Sequence, residues 1–210
     1  MKLYMVPLAP NPTKVMLYIA ERAALGTDMA IEQIVVNTVK GRHREAEYLA
    51  RNPFGTLPAL ELDDGTHLIE SLAIIEYLED RFPKDSLLGT DALVRGRARD
   101  LERIVDLRVA VPMATYAHAT KSPLGSPPDE VLAGSIVVNL QGPLDYLESL
   151  LSDGRPLITG QRVSIADCTF QAALQFLRYI EADLLEDRPN LRAWDARYRR
   201  RPAAVDVLRW

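Results

Sequence analysis

Cysteine is nearly absent from this chain, which contains Cys168 alone among its 210 residues. A single cysteine excludes an internal disulfide and a multi-cysteine metal site. Excess positive charge is also missing: the net charge is -4, so we expect neither a nucleic-acid nor an anionic-membrane partner. No apolar run reaches the roughly 20 residues that span a bilayer. Because Met1 leads directly into a predicted strand, we expect no signal peptide and a cytoplasmic location.

What the chain does contain is typical of a globular protein with one large or two small domains. Hydrophobic residues make up 48% of it, and the mean hydropathy is -0.07. Strand patterns over 2–6 and 31–36 alternate with helix patterns over 14–25 and 45–51, which favours parallel pairing. Asp64-Gly65 then predicts an antiparallel hairpin.

Strand patterns disappear in the second half of the chain. The predicted helices are 71–81, 91–119 with a kink at Pro112, 130–152, 164–180 and 191–201. The sequence therefore predicts an α/β domain over 1–82, a linker over 83–90 and an all-helical domain over 91–210.

The segment from Asn52 to Ser71 is the most informative part of the sequence. Pro58 stands where a strand should begin and cannot donate a ladder hydrogen bond. A cis bond between Leu57 and Pro58 would turn the N–H and C=O of Leu57 outward, where an extended peptide could pair with them. The helix beginning at Ser71, after Glu70, offers free N–H groups to a carboxylate of the same peptide.

The run NPFGTLPALELDDG, continued by LIESLAIIEYLEDRFP, resembles the second half of the glutathione transferase N-terminal domain. The resemblance implies a thioredoxin-like fold in which residues Thr56, Leu57 and Pro58 hold the cysteinyl unit of glutathione. It also implies that Glu70 and Ser71 hold the γ-glutamyl end. The alternative is an ordinary hairpin with a turn proline.

A second motif lies in the helical half. Ser164 and Asp167 have capping-box spacing, and Val163 and Cys168 occupy the hydrophobic-staple positions. The motif resembles the N-capping and staple motif of the same family's C-terminal domain. It favours a buried structural role for Cys168 over a nucleophilic or redox one.

The sulfur of glutathione needs a group that stabilises its anion, and the family places that group in the loop before the first helix. Many bacterial relatives carry serine or threonine where this chain has Ala9, which donates nothing. Similar loops of the nu class imply that the Asn11 amide approaches sulfur, with Thr13 as a second candidate. Asn11 before Pro12 also has the pattern of a helix N-cap, and the two roles are compatible.

Further roles follow from a theta-like and nu-like bacterial resemblance. His43 is implied in binding the glycine carboxylate of glutathione; the alternative is an exposed polar loop. The residues predicted to line a pocket for an electrophile are Leu8, Ala9, Val109, Met113 and Tyr116. The family is dimeric, and in some classes an aromatic at the position of Phe54 inserts into the neighbouring subunit.

The resemblance implies a homodimeric transferase that adds the glutathione thiolate to a small hydrophobic electrophile. Glutathione is then a co-substrate, and we expect no metal and no redox cofactor. Two alternatives stay open at this point: glutathione-dependent disulfide or peroxide reduction, and a non-catalytic glutathione-binding regulatory module, which the absence of a donor at Ala9 favours.

Overall fold

The computed structural model describes residues 1–185 and 187–209. Its strands are β1 (Lys2–Met5), β2 (Glu32–Val35), β3 (Ala59–Glu61) and β4 (His67–Leu68). Its α-helices are α1 (Pro10–Ala24), α2 (Ala46–Leu49), α3 (Ser71–Arg81), α4 (Ala92–Val105), α5 (Val111–Lys121), α6 (Glu130–Leu150), α7 (Ile165–Tyr179), α8 (Pro189–Tyr198) and α9 (Pro202–Val207). A 3₁₀ turn (Arg42–Arg44) precedes α2, and a π turn (Asp106–Ala110) joins α4 to α5.

The four strands form one mixed sheet in the order β2-β1-β3-β4. β1 and β2 are parallel across α1, whereas β3 pairs antiparallel with both β1 and β4. Gly65 supplies the left-handed conformation that the β3–β4 hairpin requires, with a φ of 84°. The predicted fold class, a thioredoxin-like α/β half followed by an all-helical half, is confirmed.

Helix α1 holds the two halves together. It packs on α3 within the α/β half and on α7 and α9 of the helical half. Its apolar side chains, including Val15 and Leu17, belong to one hydrophobic cluster that also contains Leu60, Ile74 and Phe170. Because burial continues across both halves, packing fixes the position of α1 relative to the later helices.

The start of α1 differs from the sequence prediction. The helix begins at Pro10 rather than at residue 14, and Ala9 is its N-cap. The interpretation of Asn11 as the N-cap is therefore wrong, since Asn11 lies inside the first turn. Both Pro10 and Pro12 fit there because first-turn N–H groups have no partner within the helix.

Two further elements correct the sequence prediction. The helix predicted over 91–119 is divided by the π turn, which ends immediately before Val111 and Pro112. Proline cannot donate to the carbonyl four residues earlier, and the wider π turn accommodates that missing bond. Near the C-terminus, Pro202 does more than end a helix, because it also begins α9. No helix in the described part of the chain is both long and apolar enough to cross a membrane.

Candidate active site

A cleft of about 430 Å³ separates the two halves of the molecule. The α/β half contributes one wall: Val6, Pro7, Leu8, Ala9, Pro10, Asn11, Thr38, Val39, His43, Arg44, Gly55, Thr56 and Leu57. The helical half contributes the other: His118, Pro123, Leu124, Phe176 and Tyr179. Such clefts between domains are the usual location of small-molecule sites.

The peptide bond between Leu57 and Pro58 is cis, and β3 begins only at Ala59. Within residues 1–185 and 187–209, neither the N–H nor the C=O of Leu57 makes a hydrogen bond. The carbonyl of the preceding Thr56 accepts from the Tyr48 hydroxyl at 2.6 Å and from Asn52 Nδ2 at 2.8 Å, which fixes the turn. The main chain of Leu57 is thus held in place to pair with an extended ligand.

Two helix N-termini meet beside this turn. Ser71 is the first residue of α3, and its Oγ donates to Oδ1 of Asn11, in the first turn of α1, at 3.5 Å. Glu70, the N-cap of α3, is exposed next to them. The N–H groups and dipoles of both helices favour negative charge at this point.

The second candidate for the sulfur, Thr13, does not reach the cleft. Its side chain is 1% exposed, and its Oγ1 accepts a hydrogen bond from Gln175 Nε2 at 3.3 Å. Thr13 therefore joins α1 to α7, and we leave it out of the functional site.

Some of the residues predicted to line the electrophile pocket lie in the cleft, and the others lie in the core. Leu8 and Ala9 line the cleft, whereas Val109 and Met113 are fully buried in the core and Tyr116 packs against it. The π turn explains why these residues face the core. Its wider turn rotates the faces of α5 away from the directions that a continuous α-helix from α4 would give them. Sequence reasoning missed the lining residues Val39, Pro123, Leu124, Phe176 and Tyr179.

His118 contributes the imidazole of the helical wall. Its Nδ1 lies 3.0 Å from the Ser122 hydroxyl, and its ring centroid lies 5.6 Å from that of Phe176. These contacts fix the ring, and in the described part of the chain its Nε2 has no hydrogen-bond partner. The sequence analysis named no role for His118.

The polar end of the cleft favours anions. Burial, together with the neighbouring Arg44 charge, lowers the pKa of His43, so its ring is neutral at pH 7 and retains one N–H donor. The buried Nδ1 of His43 has no partner among the described residues. No carboxylate lines the cleft within that part of the chain, and no group of three or more His, Cys, Asp or Glu side chains there is arranged to hold a metal ion.

The capping motif of α7 is present as predicted. Ser164 N–H donates to Asp167 at 2.9 Å, and the Ser164 hydroxyl caps the helix in return. Cys168 is fully buried behind it, with its Sγ 3.6 Å from the Tyr198 hydroxyl. Burial raises the pKa of this thiol well above its usual value. Cys168 is thus a neutral core side chain.

We expect Cys168 to resist thiol reagents in the native protein. A buried thiol of raised pKa presents almost no thiolate, so stoichiometric labelling should need denaturant. Labelling with and without urea, followed by intact-mass spectrometry, measures this. Fast modification of the folded protein, or loss of activity in Cys168→Ala at unchanged stability, would contradict the structural role.

Comparison with known proteins agrees with this architecture. Residues 10–81 match the glutathione S-transferase N-terminal domain, and residues 129–197 match the glutathione S-transferase C-terminal domain. Glutathione S-transferase 2 of Saccharomyces cerevisiae is 31% identical over 99% of this chain and 89% of its own length. The crystal structure of Gtt2 from Saccharomyces cerevisiae superposes with a TM-score of 0.86 at 30% identity, covering 99% of this chain and 100% of its own.

A third relative matches over a shorter stretch of this chain. Maleylacetoacetate isomerase of Pseudomonas aeruginosa is 47% identical over 76 residues, which is 35% of this chain and 36% of its own. The full-length matches place both halves in one family and make the protein an enzyme that uses glutathione. The chain belongs to the glutathione S-transferase family.

Proposed function

We propose that this enzyme joins the thiolate of glutathione to a small hydrophobic electrophile. The observation that carries the proposal is the pairing of two unlike walls in one cleft. One wall offers a peptide-pairing main chain at Leu57 beside the N-termini of α1 and α3. The facing wall is largely apolar and carries Leu124, Phe176 and Tyr179.

Glutathione is an extended tripeptide with a carboxylate near each end, and the proposed contacts follow its length. The main chain of Leu57, preceded by Thr56 and fixed by Pro58, pairs with the cysteinyl unit. Glu70 and Ser71 hold the γ-glutamyl end, where the α3 N-terminus attracts its carboxylate. His43 donates its N–H to the glycine carboxylate, with the positive charge of Arg44 nearby.

The sulfur lies at the start of α1 in this proposal. Ala9 offers no side-chain donor, so stabilisation comes from the helix N-terminus and from Asn11. Because Ser71 donates to Oδ1 of Asn11, the amide nitrogen of Asn11 is left to donate to the sulfur anion. The geometry thus supports Asn11 over Thr13 for this role.

The thiol proton needs an acceptor, and we assign that role to His118 on the facing wall. The imidazole takes the proton, directly or through one water molecule, as the thiolate forms. The thiolate then attacks the electrophilic carbon, a C–S bond forms, and the leaving group departs with its electron pair or the electrons move into a conjugated acceptor.

Assembly and location belong to the same proposal. We propose a cytoplasmic homodimer of the theta-like and nu-like type. Phe54 is 67% exposed beside the glutathione turn, and Leu107 and Val111 are exposed apolar residues near the π turn. A second copy would cover such apolar surface.

A panel of electrophiles, organic peroxides and mixed disulfides tests the reaction class, with glutathione as the thiol. We expect conjugation of aromatic or conjugated electrophiles to be the fastest reaction. Faster peroxide or disulfide turnover would favour the reductase alternative. Glutathione binding without any turnover would favour the binding module.

We expect His118→Gln to lower kcat about tenfold, since a positioned base is lost while the α1 dipole and Asn11 remain. The affinity for glutathione, measured by calorimetry, should change less than about twofold because His118 lies on the other wall. Ser122→Ala, which removes the hydroxyl that contacts His118 and accepts from Leu124 N, should cause a smaller loss. An unchanged kcat in His118→Gln would remove His118 from the mechanism.

A further inference from the structure

A buried group of charges lies where α1, α4, the π turn and α7 meet. Lys14 Nζ on α1 lies 3.1 Å from Asp106 Oδ1 and 3.5 Å from Glu102 Oε1. The Thr169 hydroxyl of α7 lies 3.2 Å from the same oxygen of Glu102 and 3.0 Å from the Ile165 carbonyl, so its proton is shared between these two acceptors. Arg103 pairs with both carboxylates from the more exposed side. We call these residues the Lys14 cluster.

Stability alone does not explain such a cluster. The Lys14 side chain is 2% exposed and that of Glu102 is 1% exposed, so both charges are removed from water. Apolar side chains of similar volume are often at least as stabilising as a buried ion pair. Buried charges that are paired with good hydrogen-bond geometry instead favour one arrangement of the helices that carry them, because other arrangements would leave the charges unpaired.

Two of the elements that meet in the cluster, α1 and α7, carry part of the cleft, and the π turn leads into α5, which carries His118. Lys14 lies one helical turn after Asn11 on α1. Asp106 is the first residue of the π turn, which sets the direction of α5 and therefore of His118. Thr169 lies two turns before Phe176 on α7. The hydrogen bond between Thr13 and Gln175 joins α1 to α7 close by, at 3.3 Å.

We propose that Lys14, Glu102 and Asp106 are positioning residues that set the His118 wall against the sulfur site. The inference rests on the proposed function and extends it to residues that touch neither substrate. The cluster fixes the distance between Asn11 and His118 by fixing the π turn to α1. Reacting groups must be aligned closely, and a displacement of about 1 Å can cost about a hundredfold in rate.

Among substitutions of the charged residues in the cluster, Asp106→Asn perturbs the structure least. It preserves side-chain volume and leaves the contact between Lys14 and Glu102 in place. We expect kcat to fall about tenfold and the KM for the electrophile to rise, because the two walls shift relative to each other. The Kd for glutathione should stay within about twofold, since its proposed contacts all lie in the α/β half.

Glu21→Gln is the matched control. Glu21 lies on the same helix and its carboxylate binds Arg201 through two contacts of 2.7 Å, far along α1 from the π turn. Both variants convert the carboxylate of an ion pair into a neutral amide of the same size. The Glu21 side chain is 1% exposed and that of Asp106 is 14% exposed. We expect its kcat and its KM for the electrophile to match the wild type.

Thr169→Val provides a second test that leaves every charge in place. It removes the hydroxyl that joins α7 to Glu102 and should lower kcat about threefold with unchanged glutathione affinity. This variant decides the question if Asp106→Asn fails to fold. Equal kcat in Asp106→Asn and Glu21→Gln would overturn the proposal, as would a loss confined to glutathione Kd. A wild type that binds glutathione but turns over no substrate would instead contradict the proposed function.

Discussion

Asp167→Ala should lose about 4 kcal/mol or more of unfolding free energy, the largest stability effect that we expect in the chain. The Asp167 carboxylate is fully buried and accepts four hydrogen bonds: from Ile158 N at 2.9 Å, Ser164 N at 2.9 Å, Ser164 Oγ at 2.8 Å and Trp194 Nε1 at 2.9 Å. Alanine would leave these donors without a partner, and each buried unsatisfied donor costs about 1–3 kcal/mol.

The same residue joins three parts of the helical half. Ile158 lies in the loop after α6, Ser164 caps α7, and Trp194 lies on α8. Burial raises the pKa of the Asp167 carboxyl, and the four donors act in the opposite direction. Removing the carboxylate therefore loosens the loop, the cap and the α7–α8 contact together, so the loss should exceed the ~1 kcal/mol of an ordinary N-cap.

Urea denaturation followed by circular dichroism measures this loss. Asp63→Ala is the matched control, because Asp63 is 83% exposed and, among the residues that the structure describes, pairs with the N-terminal ammonium alone. Its effect should stay within about 0.5 kcal/mol. All variants are compared at one protein concentration, since dimer formation would couple stability to concentration. A midpoint for Asp167→Ala equal to that of Asp63→Ala would refute the central role of the carboxylate.

Ser71→Ala should weaken glutathione binding about 30- to 100-fold. In the proposed complex the hydroxyl donates to the γ-glutamyl carboxylate, and a hydrogen bond to a charged group contributes about 1.5–3 kcal/mol. Without glutathione the same hydroxyl donates to Oδ1 of Asn11 at 3.5 Å, and its single proton turns to the carboxylate in the complex while the two side chains remain neighbours. Its loss should therefore disturb the sulfur site as well, and kcat should fall with the affinity.

Calorimetric titration with glutathione measures the affinity of this variant. Ser71→Thr keeps the hydroxyl and should retain most of the binding. Ser152→Ala serves as the matched control, because Ser152 is exposed beyond the end of α6 and, within residues 1–185 and 187–209, its hydroxyl donates to the Ser149 carbonyl alone. A Kd for Ser71→Ala equal to that of Ser152→Ala would place the γ-glutamyl end elsewhere.

The α/β half could be predicted well because its pattern is local. A proline before a short strand, an Asp-Gly turn and a helix beginning at Ser71 all follow from neighbouring residues, and α3 spans Ser71–Arg81 as predicted. The capping box of Ser164 and Asp167 is local in the same sense. The bonds that Asp167 receives from Ile158 and Trp194 were not predictable, since they depend on tertiary contacts.

The facing wall of the cleft was predicted poorly for a physical reason. Its residues come from α5, from the loop after it and from α7, and their direction depends on a π turn that sequence periodicity does not reveal. The residues predicted for this wall included Val109 and Met113, which are core residues, and did not include His118. The start of α1 was misplaced because prolines suggested a loop, although first-turn positions accept them.

The pH titration of enzyme-bound glutathione, followed by the ultraviolet absorbance of its thiolate, tests the proposed site most directly. A free thiol of this kind has a pKa of about 8.5. We expect the bound thiol to be half ionised below about pH 7, because the N-terminus of α1 and the Asn11 amide stabilise the anion. In Asn11→Ala the midpoint should move back towards that of the free thiol. A bound thiol that titrates as it does in solution would contradict the assignment of this cleft as a thiolate-forming site.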